Sequence, residues 1–257
     1  MATVIETNIS DDALWIVFRE TEERKPCTLD YGVMDQLEKA LDIAEENASV
    51  RAVVVRAASE KFFVVGANIN FLEKMTPEDM SPWVERGFTV FGRQQSLPMP
   101  TIASVAGAAM GGGLELAMSC DFILSGDKAK YASPEASLGV LTGWGGSYRL
   151  PLLVGAPFAK QMYFTGKPIS AERALAIGLV NEVVPSEELE SFTREMVKII
   201  AGNDALAINL YKEIVNTHVY YRNDAACQAE KANSIVCMHS PTTKQRMEKF
   251  FASRKKP

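Results

Sequence analysis

The sequence predicts an α/β fold in which most strands pair in parallel. Short apolar runs, such as residues 13–18, 52–55 and 101–105, have the composition of buried strands. Stretches with apolar residues at helical spacing separate these runs. Strands that alternate with helices are typical of an α/β arrangement, because a parallel strand pair needs a long, usually helical, crossover.

The first half of the chain supplies most of the predicted elements. The strand at residues 13–18 is followed by a helix over residues 31–46 that carries one apolar stripe. The stripe consists of Met34, Leu37, Leu41 and Ala44. A strand over residues 52–55, a glycine-containing loop and a helix over residues 77–95 come next. This order of strand and helix is the alternation on which the fold prediction depends.

The middle of the chain continues the alternation until about Gly146. Two prolines interrupt the chain before the strand at residues 101–105. A glycine-rich turn, a helix over residues 114–119 and a strand over residues 122–124 follow. Beyond Gly146 the strand signal nearly disappears.

The last third of the chain is predicted to be mostly helical, with one short strand candidate at Val183 and Val184. Helix starts are predicted after Ser170, after Asn203 or Asp204, and at Ser240 and Pro241. We expect these helices to pack on the α/β core or on a neighbouring subunit. The sequence thus predicts a core over residues 1–195 and a helical C-terminal region over residues 196–257.

Composition and charge limit the class of protein. With 257 residues, 47% hydrophobic and 23% charged, the chain has ordinary globular composition and can bury a core. The N-terminal residues lack the order of a secretory signal, and no segment offers the ~18 apolar residues of a membrane span. We therefore expect a cytoplasmic protein without a membrane partner. The net charge of −5 argues against a nucleic-acid partner.

Neither the cysteines nor the histidines predict a redox or metal site. The four cysteines include no CxxC pair, so we expect free thiols in a reducing compartment. His218 and His239 have no partner at metal-ligand spacing, and a Ser–His–Asp triad has little to draw on. Nothing in the sequence calls for a flavin, pyridoxal phosphate or NAD, so no cofactor is predicted.

A glycine-rich turn at residues 107–115 joins a predicted strand to a predicted helix. Its three consecutive glycines, Gly111 to Gly113, let the backbone come close to a ligand with its N–H groups facing outward. The spacing fits neither a dinucleotide loop nor a Walker loop. The turn is therefore either an anion or oxyanion site that ends at Glu115, or a place where only glycine permits tight packing.

A second carboxylate, Glu135, also lies beside glycine-rich sequence, because Gly143 and Gly145 follow it closely. One such glutamate is ordinarily a surface residue. Two carboxylates beside glycine turns instead favour an active site in which burial raises their pKa values. Residues 61–68 are either a further source of backbone donors or an ordinary strand-to-helix turn.

Several segments, in the same order along the chain, resemble the crotonase superfamily and its enoyl-CoA hydratase/isomerase family. They are residues 61–68 (KFFVVGAN), 107–121 (GAAMGGGLELAMSCD), 131–150 (YASPEASLGVLTGWGGSYRL), 173–184 (RALAIGLVNEVV) and 251–257 (FASRKKP). The resemblance covers essentially the whole chain. It implies a spiral of repeated ββα units with a helical C-terminal trimerisation region, and assembly as a homotrimer or a dimer of trimers.

The resemblance also implies an acyl-CoA thioester substrate, so coenzyme A belongs to the substrate and is not a cofactor. By motif position, the backbone N–H groups of Ala67 and Gly112 would form the oxyanion hole. Lys25, with Arg24, would lie beside the nucleotide, and the basic residues 254–256 would reach its phosphates. The implied substrate-binding residues are Lys25, Ala67, Asn68, Ile69, Asn70, Gly112 and Trp144.

Glu115 and Glu135 match the two positions at which hydratases of the family keep glutamate. The implied reaction is syn addition of water to a trans-2-enoyl-CoA, giving a 3-hydroxyacyl-CoA. Glu115 would chiefly orient the water and accept its proton, and Glu135 would deliver a proton to the α-carbon. Acid and base groups placed in this way contribute roughly 10²–10⁴-fold to rate.

Other functions on the same fold stay open at this point. An enoyl-CoA isomerase typically manages with one carboxylate, so the intact pair counts against it. The bulky Trp144 beside Glu135 would narrow or flatten the acyl pocket, which favours short or cyclic acyl groups and keeps a ring-directed hydratase or hydrolase open. Asn68 stands where the family commonly has aspartate, a change that bears on acyl selectivity. The net charge of −5 and the absence of a basic stripe count against a non-enzymatic RNA-binding member. A structural subunit that merely retains the fold would fold normally and show no turnover.

Overall fold

The computed structural model describes residues 3–22, 25–72 and 77–221. Its strands are β1 (Thr3–Ser10), β2 (Ala13–Glu20), β3 (Ala52–Ala57), β4 (Thr101–Val105), β5 (Ala108–Met110), β6 (Phe122–Gly126), β7 (Lys130–Ala132), β8 (Ile169–Ser170) and β9 (Glu182–Val184). Its helices are α1 (Tyr31–Glu46), α2 (Ile69–Leu72), α3 (Pro77–Gln95), α4 (Gly112–Met118), α5 (Gly146–Thr165), α6 (Ala171–Ala176), α7 (Leu189–Ala201) and α8 (Ala205–Tyr221). Two short 3-10 turns lie at Glu135–Leu138 and Ser186–Glu188. The predicted helices at residues 31–46 and 77–95 and the strand at 101–105 are confirmed with their bounds.

Six strands form the main sheet, in the order β1, β2, β3, β4, β6 and β9. β1 and β2 are antiparallel, and each of the other neighbouring pairs is parallel. The prediction of an α/β arrangement with largely parallel pairing is therefore confirmed. A second sheet contains only the short strands β5, β7 and β8.

The edge strand β1 was not among the elements predicted from sequence. It pairs with β2 along its whole length, although several of its residues are polar and exposed. Asp11 and Asp12 join the two strands with φ angles of 52° and 61°. Positive φ at both central residues is typical of the two-residue hairpin turn that matches strand twist. Pairing through this turn, more than strand composition, forms β1.

The second sheet matters because it connects two successive parts of the chain. β4 lies in the main sheet and β5 in the second sheet, and α4 follows; β6 and β7 divide in the same way. β5 and β7 run parallel, with Met110 opposite Ala132. The ends of these two strands therefore lie side by side, and the chain leaves both at the same edge.

Two apolar clusters fill the two faces of the main sheet. The stripe predicted on α1 is fully buried in the larger cluster, with Met34, Leu37, Leu41 and Ala44 all at 0% exposure. The smaller cluster contains Trp15, Val54 and Ile102 from alternate positions of the strands, and Val197 from α7 covers them. Strands buried on both faces explain the continuous apolar runs in the sequence.

The described part of the last third is mostly helical and packs on the core. The Asp204 carboxylate accepts the N–H of Ala207 at 2.9 Å, which confirms Asp204 as the cap of α8. Lys212 on α8 donates to Asp121 at 2.8 Å and to the Met99 carbonyl at 3.0 Å. No helix among residues 3–22, 25–72 and 77–221 is long and apolar enough to cross a membrane.

Some predictions concern residues 222–257, which lie outside the described part of the chain. These are the final helix at Ser240 and Pro241, the segment 251–257 with its basic residues, and Cys227, Cys237 and His239. The boundary predicted between residues 195 and 196 falls inside α7. The division into a core and a C-terminal region stays a prediction.

Candidate active site

A cavity of about 180 Å³ lies where the second sheet meets α3 and α4. Its lining includes Glu115 and Glu135, the two carboxylates predicted from sequence. The other lining residues are Val65, Gly66, Ala67, Leu72, Met80, Trp83, Val84, Gly111, Gly112, Pro134, Leu138, Val140, Leu141, Gly143 and Trp144. The cavity is therefore mostly apolar, with two acids and the backbone of two glycine-rich turns on its wall.

The parallel pairing of β5 and β7 brings the two carboxylates together. Gly111 follows β5 and leads into α4, which carries Glu115. Ser133 and Pro134 follow β7 and lead into the 3-10 turn that starts at Glu135. Because β5 and β7 end at the same edge, both glutamates reach one cavity although each follows a different strand.

Glu115 is buried, at 3% exposure, and its carboxylate is held by the backbone of a neighbouring loop. Its Oε1 atom accepts the N–H groups of Trp144 and Gly146, each at 2.8 Å. Arg149 fixes that loop from the other side, because its Nη1 donates to the Trp144 carbonyl at 2.7 Å. The position of Glu115 is thus set by two backbone donors and one buried cation behind them.

Burial raises the pKa of Glu115 from its ordinary 4.5 to about 7. The Gly146 and Trp144 N–H groups oppose this shift because they stabilise the charged form, and Glu135 adds to it by repulsion. Removal of the carboxylate from water is the larger effect. Glu115 is therefore a group that gains and loses a proton near neutral pH.

Glu135 is also buried, but its two carboxylate oxygens have different surroundings. Oε2 accepts the hydroxyl of Ser133 at 2.8 Å. Oε1 is buried and has no hydrogen-bond partner among the described residues. Burial raises the pKa of Glu135, and its own backbone N–H and the Ser133 hydroxyl lower it by a smaller amount. An unpartnered carboxyl oxygen at a cavity wall is typical of a group that meets a ligand or a water.

Two backbone turns, at Gly66 and at Gly112, lie close together in the wall of the cavity. Gly66 has a φ of 95°, and a Cβ atom built on it would lie 3.2 Å from the Gly112 nitrogen. Ala67, the next residue, is bridged to Leu29 through bonds made by its neighbours Gly66 and Asn68. Neither of these two hydrogen bonds uses the Ala67 N–H. Ala67 and Gly112 both line the cavity.

Trp144 belongs to a cluster of aromatic rings behind the cavity. Its indole is 3% exposed and meets Trp83 and Phe91 edge to face, at centroid distances of 4.9 and 5.6 Å. Tyr31 and Phe71 extend the cluster through Trp83. The predicted site residue Trp144 therefore contributes its backbone N–H to Glu115 and its ring to the cavity wall.

Other predicted substrate-binding residues lie away from the carboxylates. Lys25 is exposed and forms an ion pair with Glu22 at 2.5 Å, beside a surface hollow that Lys61 also lines. Asn68 accepts the N–H of Asn70, which is exposed, at 3.1 Å. Ile69 begins α2 next to Asn68. The lining of the 180 Å³ cavity does not include Lys25, Asn68 or Asn70, and Arg24 and residues 254–256 lie outside the described chain.

Sequence reasoning missed Ser133, Arg149 and Trp83 as neighbours of the site. Ser133 and Arg149 fall inside the segment 131–150 that carried the family resemblance, yet only the contacts reveal their partners. Trp83 comes from α3, whose amphipathic pattern predicts burial and no site. A signal for Ser133 existed, since it stands two residues before Glu135 in an otherwise apolar run.

A larger hollow lies elsewhere on the described part of the molecule. A groove of about 790 Å³ runs between α5 and α8 and contains neither glutamate. Its walls are apolar apart from a few groups such as Arg149, Asp121 and Lys212, which are already bonded to protein atoms. The smaller cavity contains the buried acids with raised pKa values, so we place the chemistry there. No group of three or more potential metal ligands occurs among the described residues.

Comparisons with known proteins identify the family to which the chain belongs. The family model described as enoyl-CoA hydratase/isomerase matches residues 20–257. The short-chain-enoyl-CoA hydratase of Clostridium acetobutylicum is 36% identical over 227 residues, which cover 88% of this chain and 87% of that protein. The crotonyl-CoA hydratase of Syntrophomonas wolfei is 34% identical over 220 residues, covering 86% of this chain and 85% of the relative.

Solved structures show the same fold. The crystal structure of an enoyl-CoA hydratase from Bacillus anthracis superposes with a TM-score of 0.89 at 29% identity, and the match covers 98% of this chain and 97% of that one. An enoyl-CoA hydratase from Geobacillus kaustophilus gives a TM-score of 0.90 at 30% identity, with 98% and 96% coverage. The protein therefore belongs to the enoyl-CoA hydratase/isomerase family of the crotonase superfamily. The predicted crotonase-like fold is confirmed, and its trimerisation region stays a prediction.

Proposed function

We propose that this protein is an enoyl-CoA hydratase, a lyase of fatty acid metabolism that adds water to a trans-2-enoyl-CoA. The observation that carries the proposal is the pair of buried carboxylates in one apolar cavity, one of them with an unpartnered oxygen. Two relatives named as hydratases, at 36% and 34% identity over most of the chain, support it. The paired acids also distinguish the hydratase from an isomerase, which needs only one proton shuttle.

In the proposed mechanism, the backbone polarises the thioester. The N–H groups of Ala67 and Gly112 hold the thioester oxygen, and their bonds strengthen as negative charge develops there in the enolate. Donors fixed before the reaction need no reorganisation, and the loss of one typically costs about 2.7–4 kcal/mol of transition-state stabilisation. The close approach of the Gly66 and Gly112 turns supports this assignment.

The two glutamates then divide the proton transfers. Water lies between the carboxylates, and its oxygen bonds to the β-carbon while Glu115 accepts one of its protons. Glu135, protonated at the start, delivers its proton to the α-carbon on the same face, so the addition is syn. The product leaves with one added water, and proton exchange returns the pair to its starting state. Both glutamates line the same cavity, which supports their joint action on one substrate.

The reactive form of the enzyme holds one proton on the carboxylate pair. Burial raises the pKa of both glutamates, and their mutual repulsion disfavours two negative charges in one cavity. Two groups that interact in this way titrate as a pair. This acid–base chemistry is proposed to proceed without a cofactor, since coenzyme A arrives with the substrate.

The phosphates of coenzyme A need cations on the surface beside the cavity. We propose that Lys25 contacts the nucleotide, with Lys61 and Arg19 on the same hollow as further cations. Asn68, Ile69 and Asn70 would run along the pantetheine and adenine. We further propose that the protein is cytoplasmic and works as a homotrimer or a dimer of trimers, which sedimentation velocity of the purified chain would measure.

The test of the proposed function follows the ultraviolet absorbance of trans-2-crotonyl-CoA in the presence of purified protein. Hydration removes the conjugated enoyl-thioester band, and mass spectrometry identifies the 3-hydroxyacyl product. We expect Glu115→Gln and Glu135→Gln each to lower kcat by about 10²-fold or more. The exposed Glu60→Gln variant serves as the matched control. Absence of turnover by the wild type on short, longer and cyclic enoyl-CoA substrates would overturn the proposal.

A further inference from the structure

The lining of the cavity includes Trp144, whose ring is closely packed between neighbouring residues. The six-membered ring of Trp144 lies against the Gly112 backbone, where a Cβ built on Gly112 would approach Cζ3 to 2.4 Å. On the opposite side the indole meets Gly87 of α3, where a Cβ would lie 2.3 Å from Cδ1 and Nε1. The indole thus occupies space that the side chains of two other residues would otherwise fill.

The contacts of the indole indicate that it does not swing aside. Trp83 and Phe91 pack against its faces and edges, and its Nε1 donates to the Trp83 carbonyl at 3.3 Å. The ring is 3% exposed although it lines the cavity. Because interiors are close-packed, rotating this indole would require the neighbouring rings to move with it. The part of the cavity wall at Trp144 is therefore rigid.

The volume that remains is small. At about 180 Å³ the cavity lies well below the roughly 300–1,000 Å³ of common ligand pockets. Part of that volume must hold the thioester and the reacting carbons, because Gly112 and both glutamates line the same space. Little room is left for carbons beyond the β-position.

We propose that the Trp144 indole is the specificity-determining group that restricts the acyl chain to about four to six carbons. This inference rests on the proposed function, because it takes the cavity between the glutamates as the acyl site. The indole limits the length of the acyl chain, because a longer chain contacts the ring before its thioester oxygen reaches Gly112. The backbone N–H of Trp144, which holds Glu115, is retained when the side chain is changed, so substitution at this position separates chain length from the acid–base pair.

The experiment compares kcat/KM for trans-2-enoyl-CoA substrates from crotonyl to decenoyl. We expect wild-type kcat/KM to fall at octenoyl-CoA, and Trp144→Ala to raise the octenoyl-to-crotonyl ratio about tenfold or more, since one methylene in a pocket changes discrimination by roughly 10–200-fold. Trp144→Phe, a smaller ring that keeps much of the packing, should give an intermediate ratio. Trp15→Phe, in the other apolar cluster, is the matched control and should leave the ratio unchanged.

Binding separates this inference from the proposed function. Isothermal titration with butyryl-, octanoyl- and decanoyl-CoA measures chain-length preference without turnover, so it applies even if no enoyl-CoA is hydrated. We expect the same order, with octanoyl-CoA gaining affinity relative to butyryl-CoA in Trp144→Ala and Trp144→Phe. A wild type that binds and hydrates eight- and ten-carbon chains as well as crotonyl-CoA, or ratios that do not change in folded Trp144 variants, would overturn the assignment of Trp144.

Discussion

Opposed effects meet on the carboxylate of Glu115. Burial favours its neutral form, whereas the N–H groups of Trp144 and Gly146 favour its charged form. The balance leaves a pKa of about 7, where one side chain can take up and release a proton during turnover. A negative charge buried in this way destabilises the folded protein. Its effect can be measured as a change in the free energy of unfolding.

In the Glu115→Gln variant, we expect a free energy of unfolding that exceeds that of the wild type at about pH 8 and approaches it at about pH 5. The folded pKa of about 7 lies above the ordinary 4.5, so the folded wild type holds this proton more tightly than the unfolded chain. The stability from that proton is fully present below the ordinary pKa and is lost as pH rises through the folded one. The shift corresponds to about 3 kcal/mol.

Urea denaturation at one protein concentration across this pH range checks the prediction. The exposed Glu60→Gln variant should follow the wild type at every pH. A Glu115→Gln variant that is less stable than the wild type at alkaline pH would show that the backbone hydrogen bonds outweigh burial.

Arg149 acts on Glu115 through the loop between them. Its guanidinium holds the Trp144 carbonyl, and its charge lowers the Glu115 pKa by the smallest of the identified effects. In Arg149→Gln, we expect the pKa of Glu115 to rise further, so that the acid limb of the kcat/KM profile moves to higher pH. At neutral pH kcat/KM should fall roughly tenfold, the scale of one lost buried hydrogen bond.

A pH profile of kcat/KM for wild type and Arg149→Gln measures this shift, with the exposed Arg173→Gln as the control. A lower kcat/KM with an unmoved acid limb would mean that Arg149 stabilises the fold without influencing the proton on Glu115.

At the scale of the element, α3 shows how a helix accommodates the site. Gly87 and Gly92 both interrupt a helical surface, where glycine is destabilising by up to about 1 kcal/mol relative to alanine. Their surroundings differ, since a Cβ at Gly87 would lie 2.3 Å from the Trp144 ring and a Cβ at Gly92 would meet nothing within 4 Å. One glycine is required by packing, and the other is not.

We expect Gly87→Ala to lower the free energy of unfolding by about 1–3 kcal/mol, because overpacking a rigid ring cluster outweighs the gain in helix propensity. Gly92→Ala, in the same helix, should raise it by up to about 1 kcal/mol. Urea denaturation of both variants makes the comparison. Gly87→Ala combined with Trp144→Ala should recover part of the loss, and full additivity of the two changes would contradict a direct contact.

For the whole molecule, a partly buried ion pair connects α8 to the sheet. Lys212 and Asp121 have side-chain exposures of only 9% and 21%, and Asp121 also accepts the Thr101 N–H at 2.7 Å. Lys212→Met removes the cation and leaves the partly buried Asp121 carboxylate without its ion-pair partner. We expect a loss of stability of up to about 3 kcal/mol and faster amide exchange along α8.

Hydrogen exchange read by mass spectrometry over residues 205–221 gives the local effect, and Lys198→Met on the exposed side of α7 is the control. Unchanged protection of α8 in Lys212→Met would show that apolar packing alone holds the helix.

The sequence predicted the long helices, the central strands and the two glutamates, because each has a strong local signal. α1 has a complete apolar stripe, and β4 has a run of buried residues. Three features had no such signal. β1 depends on its hairpin turn, β5 and β7 are three residues long, and the partners of Glu115 come from a loop about thirty residues further along. Contacts between residues that are separated in the sequence determine these three features, so local composition does not predict them.

The indole between Gly87 and Gly112 has a consequence for the history of the family. A tryptophan at 144 leaves no space for a side chain at 87, so the two positions should covary among relatives. In a relative with a small residue at the position of Trp144, the space beside the position of Gly87 is open, so alanine fits there. Gly112 is less free, because Gly66 also lies close to it. Ancestral reconstruction should therefore find glycine at 87 before, or together with, tryptophan at 144.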